Sequence, residues 1–238
     1  MKADLPDNEK ERLERLTALK VLDTPDEEAL DNLVKLAANL FKTPIALISL
    51  VDKERQWFKA RIGLEAQETH RDFAFCAHAI HQNQVFVVED AQNDQRFADN
   101  PLVTADPNIR FYAGAPLIDS AGFKLGTLCV IDTVPRSLDA QESLILEGLA
   151  REVVLHFKLR TELKRAEENA SLFRTISATA PVMIWTSGQN GLMNYFNNSW
   201  LNFSGRTLEQ ELGNGWAESI HSEDRERTLN TYRISLER

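Results

Sequence analysis

Four side chains able to ligate a metal, His70, Cys76, His78 and His81, fall within twelve residues, and a second cysteine, Cys129, follows further on. Neutral imidazole and thiolate hold zinc, and a pair of thiols carries two-electron redox chemistry. His78 and His81 stand three apart and share a face of any helix they occupy, whereas Cys76, two residues before His78, points elsewhere. Structural zinc takes paired cysteines or a clearer ligand spacing, so Cys76 and His78 read as packing beside a pocket rather than as metal ligands. Thiol redox chemistry needs an activated thiolate with a resolving thiol within bonding distance. Cys129 sits in the apolar run Leu128-Cys129-Val130-Ile131, where a free cysteine behaves as a small hydrophobe. The sequence contains no glycine-rich phosphate loop, HExxH pair, G-x-S-x-G elbow or CxxC pair. No catalytic residue or metal ligand is therefore assigned, and the cofactor, if there is one, is unknown.

The elements that must position these residues belong to an ordinary globular chain. It has 238 residues, 43% hydrophobic and 26% charged, enough for one to two domains with a sizeable core. The 27 basic and 36 acidic residues give a net charge of −9 without a basic cluster, which argues against nucleic acid or an anionic membrane as the partner. The longest apolar run, residues 44–51, is far short of the roughly 18 residues that span a bilayer. Asp4, Asp7, Glu9 and Glu11 do not follow the basic-then-apolar plan of a signal peptide. Two cysteines do not make a disulfide framework, so a cytoplasmic location is expected.

Along the chain, Leu13, Leu16 and Leu19 recur at threes within a charged stretch and predict an amphipathic lead-in helix over residues 7–22. Thr24 as cap, Pro25 at the first helical position and Glu27 three residues after the cap predict a capping box opening the next helix. Residues 44–51 and 55–62 read as a hairpin, 75–81 as helical, and 85–88 as a strand before a polar loop. Residues 109–118 and 123–131 form a second hairpin around Asp119-Ser120-Ala121-Gly122. Strands arriving as hairpins favour an antiparallel sheet with helices packed on it, an α+β class.

From residue 139 to about 173 the period becomes helical and long. Leu149, Val153, His156, Leu159, Leu163 and Ala166 fall at threes and fours, and a helix outrunning its domain needs a partner for that stripe. The economical partner is a second copy, giving a parallel homodimer through this helix. A third hairpin over residues 182–196 precedes short helices to the end. Two strands are marginal as a sheet, so this last part reads as cut off before its remaining strands.

An ordered set of motifs resembles the GAF family of sensory domains. It comprises Leu22-Asp23-Thr24-Pro25, Ala46 to Asp52, Arg55-Gln56-Trp57-Phe58-Lys59-Ala60 and Phe75-Cys76-Ala77-His78-Ala79-Ile80, followed by Arg110 to Leu117 and Gly126 to Asp132. The remainder resembles the start of a PAS domain, through Ala180-Pro181-Val182-Met183-Ile184-Trp185, Phe203-Ser204-Gly205-Arg206-Thr207 and Gly215-Trp216, with Ser222 where that family usually has Pro. The resemblance implies a GAF-type antiparallel sheet flanked by helices over residues 1–160 and a connecting signalling helix over 139–173. It also implies an incomplete PAS-type α+β domain over 174–238 lacking its last strands.

Trp57, Phe58, Phe75, Cys76, His78, Phe111, Tyr112 and Cys129 are the candidates for lining a GAF pocket, and Trp185, Phe196, Trp200 and Trp216 for the PAS part. The competing reading is that these aromatics fill the cores. Cyclic-nucleotide-binding relatives carry an Asn-Lys pair, a Phe and an Asp-Glu pair, of which Asn93-Asp94, Phe97 and Asp99-Asn100 supply fragments without the lysine. Bilin-binding relatives place a histidine directly after the attachment cysteine, whereas Ala77 separates Cys76 from His78. Neither ligand is carried over. Around His156, Phe157 replaces the acidic neighbour of a histidine-kinase phosphoacceptor box, and Leu159-Arg160 come one position late, so His156 reads as a helix-seam or surface residue.

The resemblance implies a signal-input region without catalysis of its own, regulating a C-terminal output domain. A two-component histidine kinase comes first and a diguanylate cyclase or phosphodiesterase second. A thiol redox enzyme built on Cys76 and Cys129, or a purely structural dimerisation module with a closed pocket, are the readings from other classes. The expected partners are a second copy, the output domain and a small-molecule ligand, with neither nucleic acid nor membrane.

Overall fold

The computed structural model describes residues 2–236 and divides into two units, one ending at Thr161 and the other beginning at Glu162. In the first, α1 (Glu9–Ala18) turns Leu16 inward, and α2 (Glu28–Phe41) buries Leu30, Val34, Ala37, Ala38 and Phe41 along one face, the spacing of an amphipathic helix. Then follow β1 (Ile45–Val51), β2 (Arg55–Ile62), the short β3 (Glu68–His70), α3 (Phe75–Ala79), β4 (Phe86–Val88), α4 (Pro101–Thr104), β5 (Phe111–Ile118) and β6 (Lys124–Asp132). The strands form one antiparallel sheet in the order β3-β2-β1-β6-β5-β4.

Successive strand side chains point to opposite faces, and the sheet uses both. Ala46, Ile48, Leu50, Trp57, Ala60, Phe111, Ala113, Leu128 and Val130 face α1, α2 and the start of α5 (Ala140–Thr179). Ile45, Leu47, Val51, Phe58, Tyr112, Cys129 and Ile131 face α3, α4 and their loops. Each fully buried Leu, Ile, Val or Phe contributes about 1.5–3 kcal/mol, so both layers hold the sheet. Every residue of β1 is buried, as befits a strand flanked by β2 and β6 and covered on both faces. Gly126 is fixed by close approach: a Cβ there would run into the Ser49 carbonyl of β1.

Three expectations are revised. The capping box does not form, because the Thr24 hydroxyl donates to the Val21 carbonyl at 2.6 Å and Glu27, at the head of α2, turns its carboxylate to Lys59 at 2.8 Å. Lys59 is fully buried, and a buried ammonium without a counter-charge costs more than the roughly 1 kcal/mol a cap supplies. Of the residues placed on a dimer stripe, Val153 is completely buried and Leu149 packs beside it in the unit's own core, joined by Leu146, Ala150 and Phe157. Leu159 and Leu163 are 60% and 64% exposed and Ala166 is exposed. The long helix also runs six residues beyond Phe173, to Thr179, and stops just before Pro181.

In the second unit, β7 (Trp185–Ser187) and β8 (Met193–Phe196) form a hairpin, followed by α6 (Asn198–Ser204), α7 (Leu208–Glu211), a 3₁₀ turn at Gly215–Ser219 and α8 (Ser222–Leu236). Its small core gathers Met193, Phe196, Trp216 and Ala217. Asn197 organises it: its side chain accepts from the backbone N–H groups of Ile184 and Trp200 at 3.0 and 3.1 Å and donates to the Ser177 and Val182 carbonyls at 2.8 Å each.

Candidate functional site

Below the second face of the sheet lies a cavity of about 370 Å³. Its walls are Ile45 and Leu47 of β1, Phe58 of β2, Phe75 of α3, Tyr112 of β5 and Ile131 of β6. The segments holding Leu64, Leu102, Pro107 and Ile109 close over it. Asn100 pins the second of these segments, donating to the Phe73 carbonyl at 3.0 Å while accepting from the Leu102 N–H at the head of α4. The exposed Glu65, Ala66 and Asp106 form the mouth.

The deep end is polar. Cys76 Sγ accepts from the Thr127 hydroxyl at 3.1 Å and from the Tyr112 hydroxyl at 3.3 Å. Beside it Ser49 donates to Gln56 Oε1 at 3.3 Å, and Gln56 Nε2 donates to the Thr69 hydroxyl at 2.7 Å. Burial pushes the Cys76 thiol up, but the polar side chains around it, Cys129, Ser49, Thr127 and Tyr112, outweigh it and bring the group down to about 6. Burial and the neighbouring Cys76 sulfur push Cys129 well above the usual thiol range, and burial with both sulfurs pushes Tyr112 up likewise. Of the two thiols, Cys76 is thus the more acidic and Cys129 the less.

Of the eight pocket candidates, the structure brings Phe58, Phe75, Cys76 and Tyr112 to the cavity. Trp57 and Phe111 lie on the opposite face of the sheet, since each neighbours a lining residue on its strand and alternation sends it the other way. His78 sits outside the lining with its ring edge-on to Phe97, centroids 4.8 Å apart. Cys129 is buried against the Leu47 carbonyl, 3.7 Å from its Sγ. Gln56 and Thr69 were not among the candidates; the two-residue step from Phe58 to Gln56 points to the first, while Thr69 belongs to a strand too short and polar to predict. Trp185 is exposed, whereas Phe196 and Trp216 are buried in the second unit's core and Trp200 packs against them.

The histidines are dispersed. His70 Nδ1 accepts from the Asp72 N–H at 3.2 Å, and His81 Nε2 meets the Asp4 carbonyl at 2.9 Å. Among the described residues no three His, Cys, Asp or Glu side chains are grouped to hold a metal ion.

His156 has a different setting. Its Nε2 lies 2.7 Å from Glu27 Oε2, and the same carboxylate takes Lys59 Nζ at 2.8 Å and Arg160 Nε at 3.5 Å. Burial raises Glu27, yet the hydrogen bonds to His156 and Lys59 and the charges of Lys59 and Arg160 hold it below the usual carboxylate range. This cluster ties α5 to β2, the strand whose other face supplies Phe58 to the cavity.

A six-stranded antiparallel sheet covered by helices on both faces, with a cavity between one face and its covering loops, defines an α+β signal-input domain. The chain belongs to the GAF domain family, whose sequence model matches residues 26–157. It is 41% identical over 172 residues to a cyclic di-GMP phosphodiesterase of Pseudomonas aeruginosa, covering 72% of this chain and 29% of that protein. It is also 41% identical over 66 residues to the uncharacterized protein y4lL of Sinorhizobium fredii, covering 28% of this chain and 8% of that one. The chain thus spans under a third of the curated relatives it matches. Among solved structures, it is similar to the GAF domain of an Acinetobacter phosphoenolpyruvate-protein phosphotransferase. That likeness has 17% identity and a TM-score of 0.48, over 65% of this chain and 95% of that one. No helix among the described residues is long and apolar enough to cross a membrane.

Proposed function

We propose that this chain is the sensory input of a longer protein that turns over cyclic di-GMP, and that the cavity beside Phe58 and Cys76 takes its signal molecule. The observation that carries the reading is the sharing of β2. Phe58 faces the cavity while the next residue, Lys59, anchors the Glu27 carboxylate that holds His156 of α5. A ligand acts only through unequal affinity for two arrangements, and β2 is the element through which the cavity biases the seat of α5.

The lining sets the ligand class. Its charged side chains are Glu65 and Asp106, and among the described residues no Lys, Arg or His lines the cavity. A phosphate-bearing ligand would lack a counter-charge there, so the fitting ligand is small, largely apolar, and neutral or cationic. The relationship to the Pseudomonas aeruginosa phosphodiesterase supports cyclic di-GMP turnover over the histidine kinase that the motifs suggest first. In the same reading residues 174–238 open a PAS-type domain, and the exposed Leu159, Leu163 and Ala166 meet a second copy.

The test is a thermal-shift screen of neutral, cationic and anionic small molecules against the wild-type chain and Leu47→Trp, which fills the cavity. Stabilisers drawn from the neutral and cationic sets that lose their effect in Leu47→Trp support the reading. No stabiliser at all, or stabilisers indifferent to Leu47→Trp, contradict it. For the output, the coding sequence following residue 238 should specify a cyclic di-GMP phosphodiesterase or diguanylate cyclase domain, and a kinase core there would overturn that part.

A further inference from the structure

Two buried cysteines share the core layer on the cavity side of the sheet. Cys76 lines the cavity wall and accepts from two hydroxyls, Thr127 at 3.1 Å and Tyr112 at 3.3 Å. Cys129, on β6 two residues beyond Thr127 and so on the same face of that strand, is buried in the same core layer as Cys76 and is electrostatically coupled to its sulfur. Neither is paired in a disulfide. A thiolate is the form of cysteine that attacks an electrophile, and a second thiol beside it is what turns a single oxidation into a reversible bond.

We propose that Cys76 is a modification site, oxidised by a hydroperoxide entering the cavity and then resolved by Cys129 as an intramolecular disulfide. The chemistry balances with the residues present and that oxidant. The Cys76 thiolate attacks the terminal oxygen of the hydroperoxide; the S–O bond forms as the O–O bond breaks, leaving a sulfenic acid and an alkoxide or hydroxide that takes a proton from water. Cys129 then gives up its thiol proton and attacks the Cys76 sulfur. The S–S bond forms, the S–O bond breaks, and the departing hydroxide leaves as water with that proton. Two thiols are oxidised by two electrons, and the hydroperoxide is reduced to an alcohol, or to water.

The surroundings suit this oxidant above charged electrophiles. Glu65 and Asp106 at the mouth repel anions, whereas a hydroperoxide is neutral, and hydrogen peroxide is also close to water in size. The Thr127 and Tyr112 hydroxyls, already aimed at the sulfur and 3.3 Å from each other, can donate to the departing oxygen. Forming the disulfide removes the acceptor that both hydroxyls share, so oxidation also rearranges the polar end of the cavity. The proposal stands independently of any ligand in the cavity.

The experiment is peptide mapping by mass spectrometry of the wild-type chain treated with hydrogen peroxide, with and without subsequent dithiothreitol. The expected result is a cross-linked pair of peptides containing Cys76 and Cys129, which dithiothreitol separates. In Cys129→Ser, oxidation should stop at a sulfenic acid on Cys76 that dimedone captures. Both cysteines alkylating after unfolding as fully as in untreated protein would overturn the proposal, and so would oxidation confined to Cys129 or a disulfide between two chains. The wild-type map decides even if the variant fails to fold.

Discussion

Phe58 and Lys59 stand side by side on β2 and face opposite sides of the sheet. Phe58 forms part of the cavity wall, and Lys59 ends 2.8 Å from Glu27, the carboxylate that also holds His156 of α5 at 2.7 Å. Lys59 is the extra residue of a β-bulge in the β1–β2 pairing, between Phe58 opposite Ser49 and Ala60 opposite Ile48, and this places the ligand site and the outgoing helix on one strand.

The Lys59–Glu27 pair is costly to break. Glu27→Gln leaves the fully buried Lys59 ammonium without its counter-charge, and urea unfolding should show a loss of about 2–4 kcal/mol. Lys59→Met, which fills the same volume without a charge, should lose less, and equal losses would show that the charge is not what matters.

Glu9 predicts an acid-sensitive component of stability. Burial raises its carboxyl, but hydrogen bonds from Arg12, at 2.7 and 2.9 Å, and from Arg71, with both positive charges, lower it to about 2. Because the folded value lies below the unfolded one, this stabilisation is fully present above about 4.5 and fades as pH falls toward about 2. Discounted for partial exposure it amounts to about 1–3 kcal/mol. Stability measured from pH 6 down to pH 3 should fall less steeply in Glu9→Gln than in wild type. Parallel curves would remove Glu9 from the account.

The exposed and buried faces of α5 should separate cleanly. Val153→Asp puts a charge into the core and should unfold the first unit by circular dichroism. Leu159→Lys with Leu163→Lys touches exposed positions and should leave the fold intact while converting a dimer to a monomer in light scattering. A wild-type chain that is already monomeric would remove the dimer from the proposal.

Much of this architecture was legible because it depends on local period. The two hairpins of the sheet announce themselves in runs of strand-forming residues around turn residues, and α2 in its apolar spacing. What was not legible depends on tertiary pairing. Thr24 and Glu27 have the sequence of a capping box, yet Lys59, some thirty residues on, claims both side chains. Trp57 and Phe111 look as fit for a pocket as Phe58 and Tyr112, and only strict alternation separates them. Ser49 and Thr127 read as polar interruptions in apolar strands until the fold sets them beside Cys76, with Gln56 hydrogen-bonded to Ser49. β3, with Glu68, Thr69 and His70, has no apolar signal and exists because β2 offers it an edge.

The central claim, that the cavity and α5 are coupled through β2, is tested most directly by a double-mutant cycle in urea unfolding with Phe58→Leu and Glu27→Gln, residues on opposite sides of the sheet. The account predicts that the two losses are non-additive by more than about 0.5 kcal/mol. Losses that add within about 0.3 kcal/mol would mean that the cavity and the helix anchor are independent, and would contradict it.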